Sequence, residues 1–193
     1  MQHGSISEAF LPTRLVDLGV TCDSPLRLVD NSDIRAGGGF GMDSICKYAT
    51  LSYCWGPPVD AYQQPKFTQA TRIQFYKEIP LEGMTPVLHD VIIVCRALQI
   101  RYIWIDALCR VQGDPNDKAR GISNMAQIYQ NALLTVSAAS GCSSVKGFLP
   151  ARKPRYYPIS TFWHGDSKFY INPLLHIRCL NNAIVATGSP PYI

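Results

Sequence analysis

"VLHDVIIVCRALQIRYIWIDALC", residues 87–109, is the stretch whose reading decides the fold. Its first half repeats Val87, Val91, Val94, Cys95 and Leu98 at helical spacing. Thr85 and Pro86 precede it, a hydroxyl able to cap and a proline suited to a first turn. The spacing predicts a helix over 87–99. The second half drops that period for a near-continuous apolar run, as in a strand buried on both faces of a parallel sheet. A helix feeding such a strand through a short connection is half of a parallel strand-helix-strand unit. One residue sits oddly in the run. Asp106 is a carboxylate, and ionised carboxylates are costly in a dry interior unless paired or hydrogen-bonded.

Outward from this stretch the same alternation continues. Upstream, "YATLSYCW" (48–55) reads as a buried strand that stops at Gly56-Pro57-Pro58. Downstream, after a polar turn at 113–118, "ARGISNMAQIYQNA" sets Ile122, Met125 and Tyr129 on one helical face with Ala126 beside them, and "LLTVSAAS" supplies a further strand. The order strand, helix, strand, helix, strand predicts an open, mostly parallel α/β sheet flanked by helices. At the start, "RLVDLG" (14–19) and "LRLVDN" (26–31), joined through Cys22-Asp23-Ser24-Pro25, read as a β-hairpin. Residues 35–43, with glycines at 37, 38, 39 and 41, read as a loop. They do not make a dinucleotide fingerprint, because no strand leads into them and no helix opens after them. Residues 57–83 carry weaker signals, with a short helix expected around "ATRIQFYKEI".

Bulk properties narrow the function classes. A chain of 193 residues, 47% hydrophobic, can bury one core, so a single domain over 1–193 is expected, with 153–193 as a C-terminal extension. The net charge of +4 is spread without a long block of either sign, which gives no argument for nucleic acid or an anionic membrane as partner. The first residues lack the basic and apolar regions of a secretory signal, and no run is long and apolar enough for a membrane span, so a cytoplasmic location is expected. Seven cysteines, an odd number, favour reduced thiols over a disulfide framework. The nearest approach to a metal pattern is His176 and Cys179 with His164 upstream, and no metal is expected.

Open α/β sheets bind ligands where loops leave the carboxyl ends of their strands. That rule brings Tyr53, Cys54, Trp55 and Gly56 towards Asp106, Cys109, Arg110 and Gln112, with Ser137 and Ser140 on the next strand. Asp106 orients a ligand hydroxyl, works as an acid or base, or holds Arg110 or a loop amide in place; alternatively it caps the amides of the loop after residues 51–56 with purely structural value. Cys54 and Cys109 become nucleophiles if a base such as His89, which falls off the apolar stripe of its helix, lowers a thiol pKa; otherwise they are small buried hydrophobes. Tyr53 and Trp55 are candidate ligand contacts, Trp55 by stacking on a planar group. Arg110, beside Gln112, suits a carboxylate, phosphate or enolate oxygen.

"YATLSYCWG", "VLHDVIIVCRALQIRYIWIDALCRVQGD" and "MAQIYQNALLTVSAASG", in this order, resemble the HET domain of filamentous fungi, named for heterokaryon incompatibility. The likeness runs from about residue 13 to about residue 152. It implies a flavodoxin-like sheet similar to that of TIR domains, with a part in self/non-self recognition and programmed cell death. More loosely, it implies NAD as ligand or substrate. The sequence departs from the family pattern at several places, among them Gly113, where an acid is usual, Lys118, where a tryptophan is common, and the helix start at 84–90. Arg110 stands where an apolar residue is usual, and Gly121 stands where the family commonly has a glutamate. Three functions remain open: a HET-like domain holding a small anionic or nucleotide-like ligand, a stand-alone isomerase, cyclase or hydrolase of fungal secondary metabolism, and a non-catalytic module acting as a homo-oligomer.

Overall fold

The computed structural model describes residues 10–21, 23–36, 46–139 and 141–149, and the backbone strands 160–164, 167–171, 176–180 and 183–187. The expected hairpin is formed by β1 (Arg14–Asp17) and β2 (Arg27–Asp30), antiparallel with Leu15 opposite Val29. A short helix α1 (Asn31–Ala36) follows, then β3 (Tyr48–Ser52). The region of weak signal contains two short helices, α2 (Pro58–Gln63) and α3 (Arg72–Lys77), and only the second was expected. Then come α4 (Pro86–Ala97), β4 (Tyr102–Trp104), α5 (Asp106–Cys109), α6 (Pro115–Gln130) and β5 (Leu134–Ala138). The strands β6 (Ser160–His164) and β7 (Ser167–Ile171) pair with each other apart from the main sheet; β8 (His176–Leu180) and β9 (Ala183–Thr187) join it. Cys22, Ser140 and the glycine loop 37–43 lie outside the described residues.

The main sheet runs β2-β1-β4-β3-β5-β9-β8. Its strands β3, β4, β5 and β9 are parallel and lie, in chain order, as second, first, third and fourth, the flavodoxin-like arrangement. The open sheet flanked by helices is as expected, and mostly parallel describes it loosely. Three pairings are parallel and three antiparallel, because the hairpin attaches to β4 through β1 at one edge and β8 folds back on β9 at the other. The sheet is mixed.

Hydrophobic period placed α4 well. Val87, Leu88, Val91, Ile92 and Cys95 are its buried face. Leu98, expected on that face, is 50% exposed: it is the C-cap, and the next residue, Gln99, turns the chain with a φ of 58°. Thr85 takes the N-cap position without a side-chain cap bond, and the Val87 N–H donates instead to Ser144 O at 3.2 Å.

Two boundaries differ from expectation for identifiable reasons. The strand through 102–109 stops at Trp104, and Asp106–Cys109 is a helical turn whose Ala107, Leu108 and Cys109 remain buried. An apolar run cannot by itself separate a buried strand from a buried helical turn. Asp106 is thus not in mid-strand; it opens α5. Helix α6 begins at Pro115, inside the expected turn, because the Asp114 carboxylate accepts the N–H groups of Asn116 and Asp117. Its inward face carries buried Asp117 and Ile128 with half-buried Met125 and Tyr129, while Ile122 is 58% exposed. Met125 and Tyr129 face inward as expected, and Ile122 does not. Among the described residues no helix is long and apolar enough to cross a membrane.

Candidate functional site

The carboxyl ends of β3, β4 and β5 share one edge of the sheet. Because β1 runs antiparallel to β4, with Val16 opposite Ile103, its first residue Arg14 reaches the same edge. Asp106 stands there, 20% exposed at its side chain, and takes both arms of the Arg110 guanidinium, from Nε at 2.5 Å and Nη2 at 3.0 Å. This pairing, one helical turn apart, is what keeps a carboxylate at the end of an apolar run. Gln112 folds back on the same turn, its Nε2 donating to the carbonyls of Asp106 at 3.2 Å and Arg110 at 3.3 Å.

Tyr53 faces this group from the end of β3. Burial pushes its hydroxyl well above the ordinary phenol range, and the negative charge of Asp106 adds to the rise, as does Tyr129. The Tyr53 hydroxyl donates to Gln64 Oε1 at 2.6 Å, which leaves Gln64 Nε2 buried without a partner among the described residues. Burial likewise raises Tyr129 above its usual range, with Asp106 contributing. Tyr129 donates to Leu51 O at 3.3 Å and meets Trp104 edge to face.

Of the other candidates, Cys109 closes the same helical turn as Asp106 and lines a cleft between the N-terminal segment and α6, while Cys54, His89 and Ser137 make no side-chain hydrogen bond with Asp106 among the described residues. Cys109 is 3% exposed, and burial pushes its thiol up to about 12, against the partial help of the Ile105 N–H and the Arg14 charge. A thiol so held is protonated at neutral pH and packs as a small hydrophobe. Cys54 is exposed where β3 runs into its loop. His89 is exposed on α4, and no side-chain hydrogen bond joins it to Asp106, Cys54 or Cys109 among the described residues. Trp55 is half-buried, with the Lys66 ammonium 5.9 Å from its ring centre and its carbonyl accepting from the Ser144 hydroxyl at 3.2 Å. Ser137 is half-buried on β5 opposite Ser52.

Loop 141–149 packs on residues 55–60, after β3, and on α4. Ser143 Oγ donates to Asp60 Oδ2 at 2.6 Å, Ser144 N–H reaches Trp55 O, and Asp90 Oδ2 accepts from Phe148 N–H at 2.6 Å and Leu149 N–H at 2.8 Å. Gly56 is where this contact is closest. It has a φ of 88°, and a Cβ there would stand 2.8 Å from Ser143 Cβ and 3.0 Å from its Cα. Gly56→Ala is therefore expected to lower stability by about 2 kcal/mol through backbone strain and overpacking. An unchanged denaturant midpoint would contradict this account of the loop.

A cleft of ≈ 50 Å³ opens beside Arg110, between the N-terminal segment and α6. Arg14, Trp104, Arg110, Asp117, Arg120 and Asn124 are among its lining residues; Tyr53, Trp55 and Gly56 are not. Arg14 is its structural centre. Its Nε donates to Cys109 O at 2.8 Å, its Nη2 to both Asp117 oxygens at 2.6 and 2.7 Å, and its guanidinium lies 5.3 Å from the Phe67 ring centre. Asp117 also accepts the Val111 N–H at 2.7 Å, and Arg120 approaches it at 3.5 Å. Burial alone would raise the Asp117 pKa; the Arg14 hydrogen bond, the Val111 N–H and the two guanidinium charges outweigh burial and lower it.

Arg14, Asp117, Arg120 and Asn124 were not among the residues expected from sequence. Arg14 and Asp117 stand 103 positions apart, beyond any local pattern. The Asp114-Pro115 pair was a legible helix start and would have put Asp117 in the first turn of α6. Two of the departures noted in sequence, Arg110 and Gly121, meet in this cleft: a Cβ built on Gly121 would clash with Arg110 Cδ.

Fold and site together define an open α/β domain with a cationic cleft at the carboxyl end of a parallel strand. The family model described as heterokaryon incompatibility protein (HET) matches residues 48–171, well over half of the chain, and the chain belongs to that family. No curated protein and no solved structure matches it.

Proposed function

We propose that this HET domain takes a small anionic ligand into the cleft beside Arg110, and that occupancy of the cleft is an input to an incompatibility or cell-death response. The observation that carries the reading is the convergence of Arg14, Arg110 and Arg120 on one small cleft. Asp117 is the lining carboxylate opposed to them, and its oxygens are already engaged by Arg14 and the Val111 N–H. Arg110 spends Nε and Nη2 on Asp106, and its second terminal nitrogen has no partner among the described residues. A planar fork of this kind suits the paired oxygens of a carboxylate or phosphate.

Size separates the ligand classes. A cleft of ≈ 50 Å³ has room for a few waters or one anionic group. Pockets that enclose drug-sized molecules run to ~300–1,000 Å³. A whole NAD therefore does not fit inside, and a nucleotide-like ligand would place only a phosphate there. The acid-base enzyme reading draws less support, because the thiol of Cys109 is held protonated and His89 stands exposed on another element.

Titration of the full chain with inorganic phosphate, acetate and AMP, followed by calorimetry or amide NMR, tests the reading. Arg110→Ala is expected to weaken binding about 10- to 100-fold, the loss of one charge-assisted contact. Absence of binding of all three probes by the unaltered chain at millimolar concentration sinks the ligand half. Viability on induced expression, equal for the unaltered chain and Arg110→Ala, sinks the signalling half.

A further inference from the structure

We propose that Gly121 is the specificity-determining residue of this cleft: its missing side chain makes the room in which Arg110 lies, and so fixes the site for an oxyanion of phosphate or carboxylate size. This rests on the reading of the cleft as an anion site and adds the residue that creates it.

Gly121 sits inside α6 with no left-handed φ to require a glycine. Glycine is unfavourable in a helix interior, where it loses more backbone freedom than alanine. Close approach supplies the physical reason for it. A Cβ at 121 would clash with Arg110 Cδ and stand 3.1 Å from its Cγ and 3.6 Å from its Nε. These atoms are the middle of the arginine chain, tethered at one end by the backbone and at the other by the fork on Asp106. They cannot step aside while the guanidinium stays in place. Nor can α6 readily withdraw, because Asp117 in its first turn is held by Arg14 and the Val111 N–H. Any side chain at 121 therefore turns the Arg110 guanidinium out of its position.

The electrostatic consequence follows directly. With Arg110 in place, three guanidinium groups line the cleft against two carboxylates, Asp117 in its wall and Asp106 behind Arg110, which leaves one positive charge in excess and the second terminal nitrogen of Arg110 open to a ligand. With Arg110 displaced, Arg14 stays spent on Asp117 and Cys109 O, and Arg120 is left as an exposed cation. The cleft then has no buried fork to grip two oxygens of one ligand. Asn124, one turn further along α6, lines the cleft beside them and supplies an amide donor to a third oxygen.

The test uses the full chain as Gly121→Ala, Arg110→Ala and the double variant, with inorganic phosphate and acetate as probes. Gly121→Ala is expected to bind either probe at least 10-fold more weakly than the unaltered chain and to melt lower, because the displaced Arg110 leaves Asp106 unpaired and the helix preference of alanine offsets only part of that loss. The double variant is expected to bind no more weakly than Arg110→Ala alone, since both changes remove the same contact. Unchanged affinity in Gly121→Ala, or losses that multiply in the double variant, overturn the proposal. The double variant is expected to melt no lower than Arg110→Ala alone, since with the arginine chain gone the Cβ at 121 meets no clash, and a further fall overturns the proposal as well. A separate readout distinguishes this inference from the ligand reading. The Arg110 Nε–H resonance, held by Asp106, is expected to shift to the position of free arginine in Gly121→Ala whether or not a ligand binds. If the unaltered chain binds neither probe while that resonance moves, the anion reading fails and the placement of Arg110 stands; if the resonance does not move, the placement fails.

Discussion

Asp117→Asn is expected to destabilise the fold by about 3–5 kcal/mol, because it leaves a half-buried guanidinium without its partner. Arg14 and Asp117 are only 13% and 7% exposed at their side chains, so solvent screens the pair little. The amide can keep the Val111 N–H on its oxygen, but it cannot accept from Arg14 with both of its heavy atoms, and it brings no charge. For a chain of this length the melting temperature should fall by roughly 10 °C. A fall of 2 °C or less would show that the pair is a surface contact in solution.

The same carboxylate predicts an acid limit. The Asp117 carboxyl ordinarily titrates near 3.8, and in the fold it titrates lower. Between those values the unfolded chain binds more protons than the folded one, so stability rises with pH in that window. The contribution of Asp117 is complete above the ordinary carboxylate range and is lost as the pH falls through its lowered folded value. Asp17 acts in the same direction: burial raises its pKa, and the Arg101 fork at 2.8 Å, with the Gly19 N–H at 3.0 Å and the Arg27 charge, more than reverses the rise. Asp117→Asn should therefore flatten the acid limb of a stability-versus-pH curve without abolishing it.

These residues mark where sequence was and was not legible. The alternation of strands and helices is a local signal, carried by the period of apolar residues, and it fixed the α/β class and the hairpin from its repeated Arg-Leu-Val-Asp. What the period cannot express is which edge of the sheet the hairpin joins. Its attachment beside β4 brings residues 10–14 to the carboxyl end of that strand, and these residues wall the cleft. Asp106, Arg110 and Gln112 were placed together correctly because they lie within seven positions of one another. Tyr53 joined them only through the parallel pairing of β3 and β4, which the topology implied. The return of loop 141–149 onto residues 55–60 and onto α4, through Ser143 and Asp90, was not legible, because polar contacts of that kind leave no periodic trace.

Phe67→Ala is expected to cost about 3–5 kcal/mol, the usual range for emptying a buried aromatic site. The ring is 1% exposed, stacked on Phe75 at 6.3 Å between centres and edge-on to Tyr76 at 6.1 Å. Its backbone is pinned on both sides to α5 and the turn after it, donating to Ala107 O at 2.9 Å and accepting from Gln112 N–H at 2.7 Å. The segment that gave the weakest sequence signal thus supplies the floor under Arg14, whose guanidinium rests over this ring. Removing the ring opens a void and also loosens the arginine that holds Asp117. Phe67→Leu, which keeps most of the volume, should lose less than half as much. Because Phe67 and Asp117 both act through Arg14, the double variant Phe67→Ala with Asp117→Asn should lose less than the sum of the single losses. Strict additivity would mean that the ring stabilises only α3 and that Arg14 is positioned without it; a single loss under about 1 kcal/mol would mean that residues 64–71 are not packed on α5 in solution.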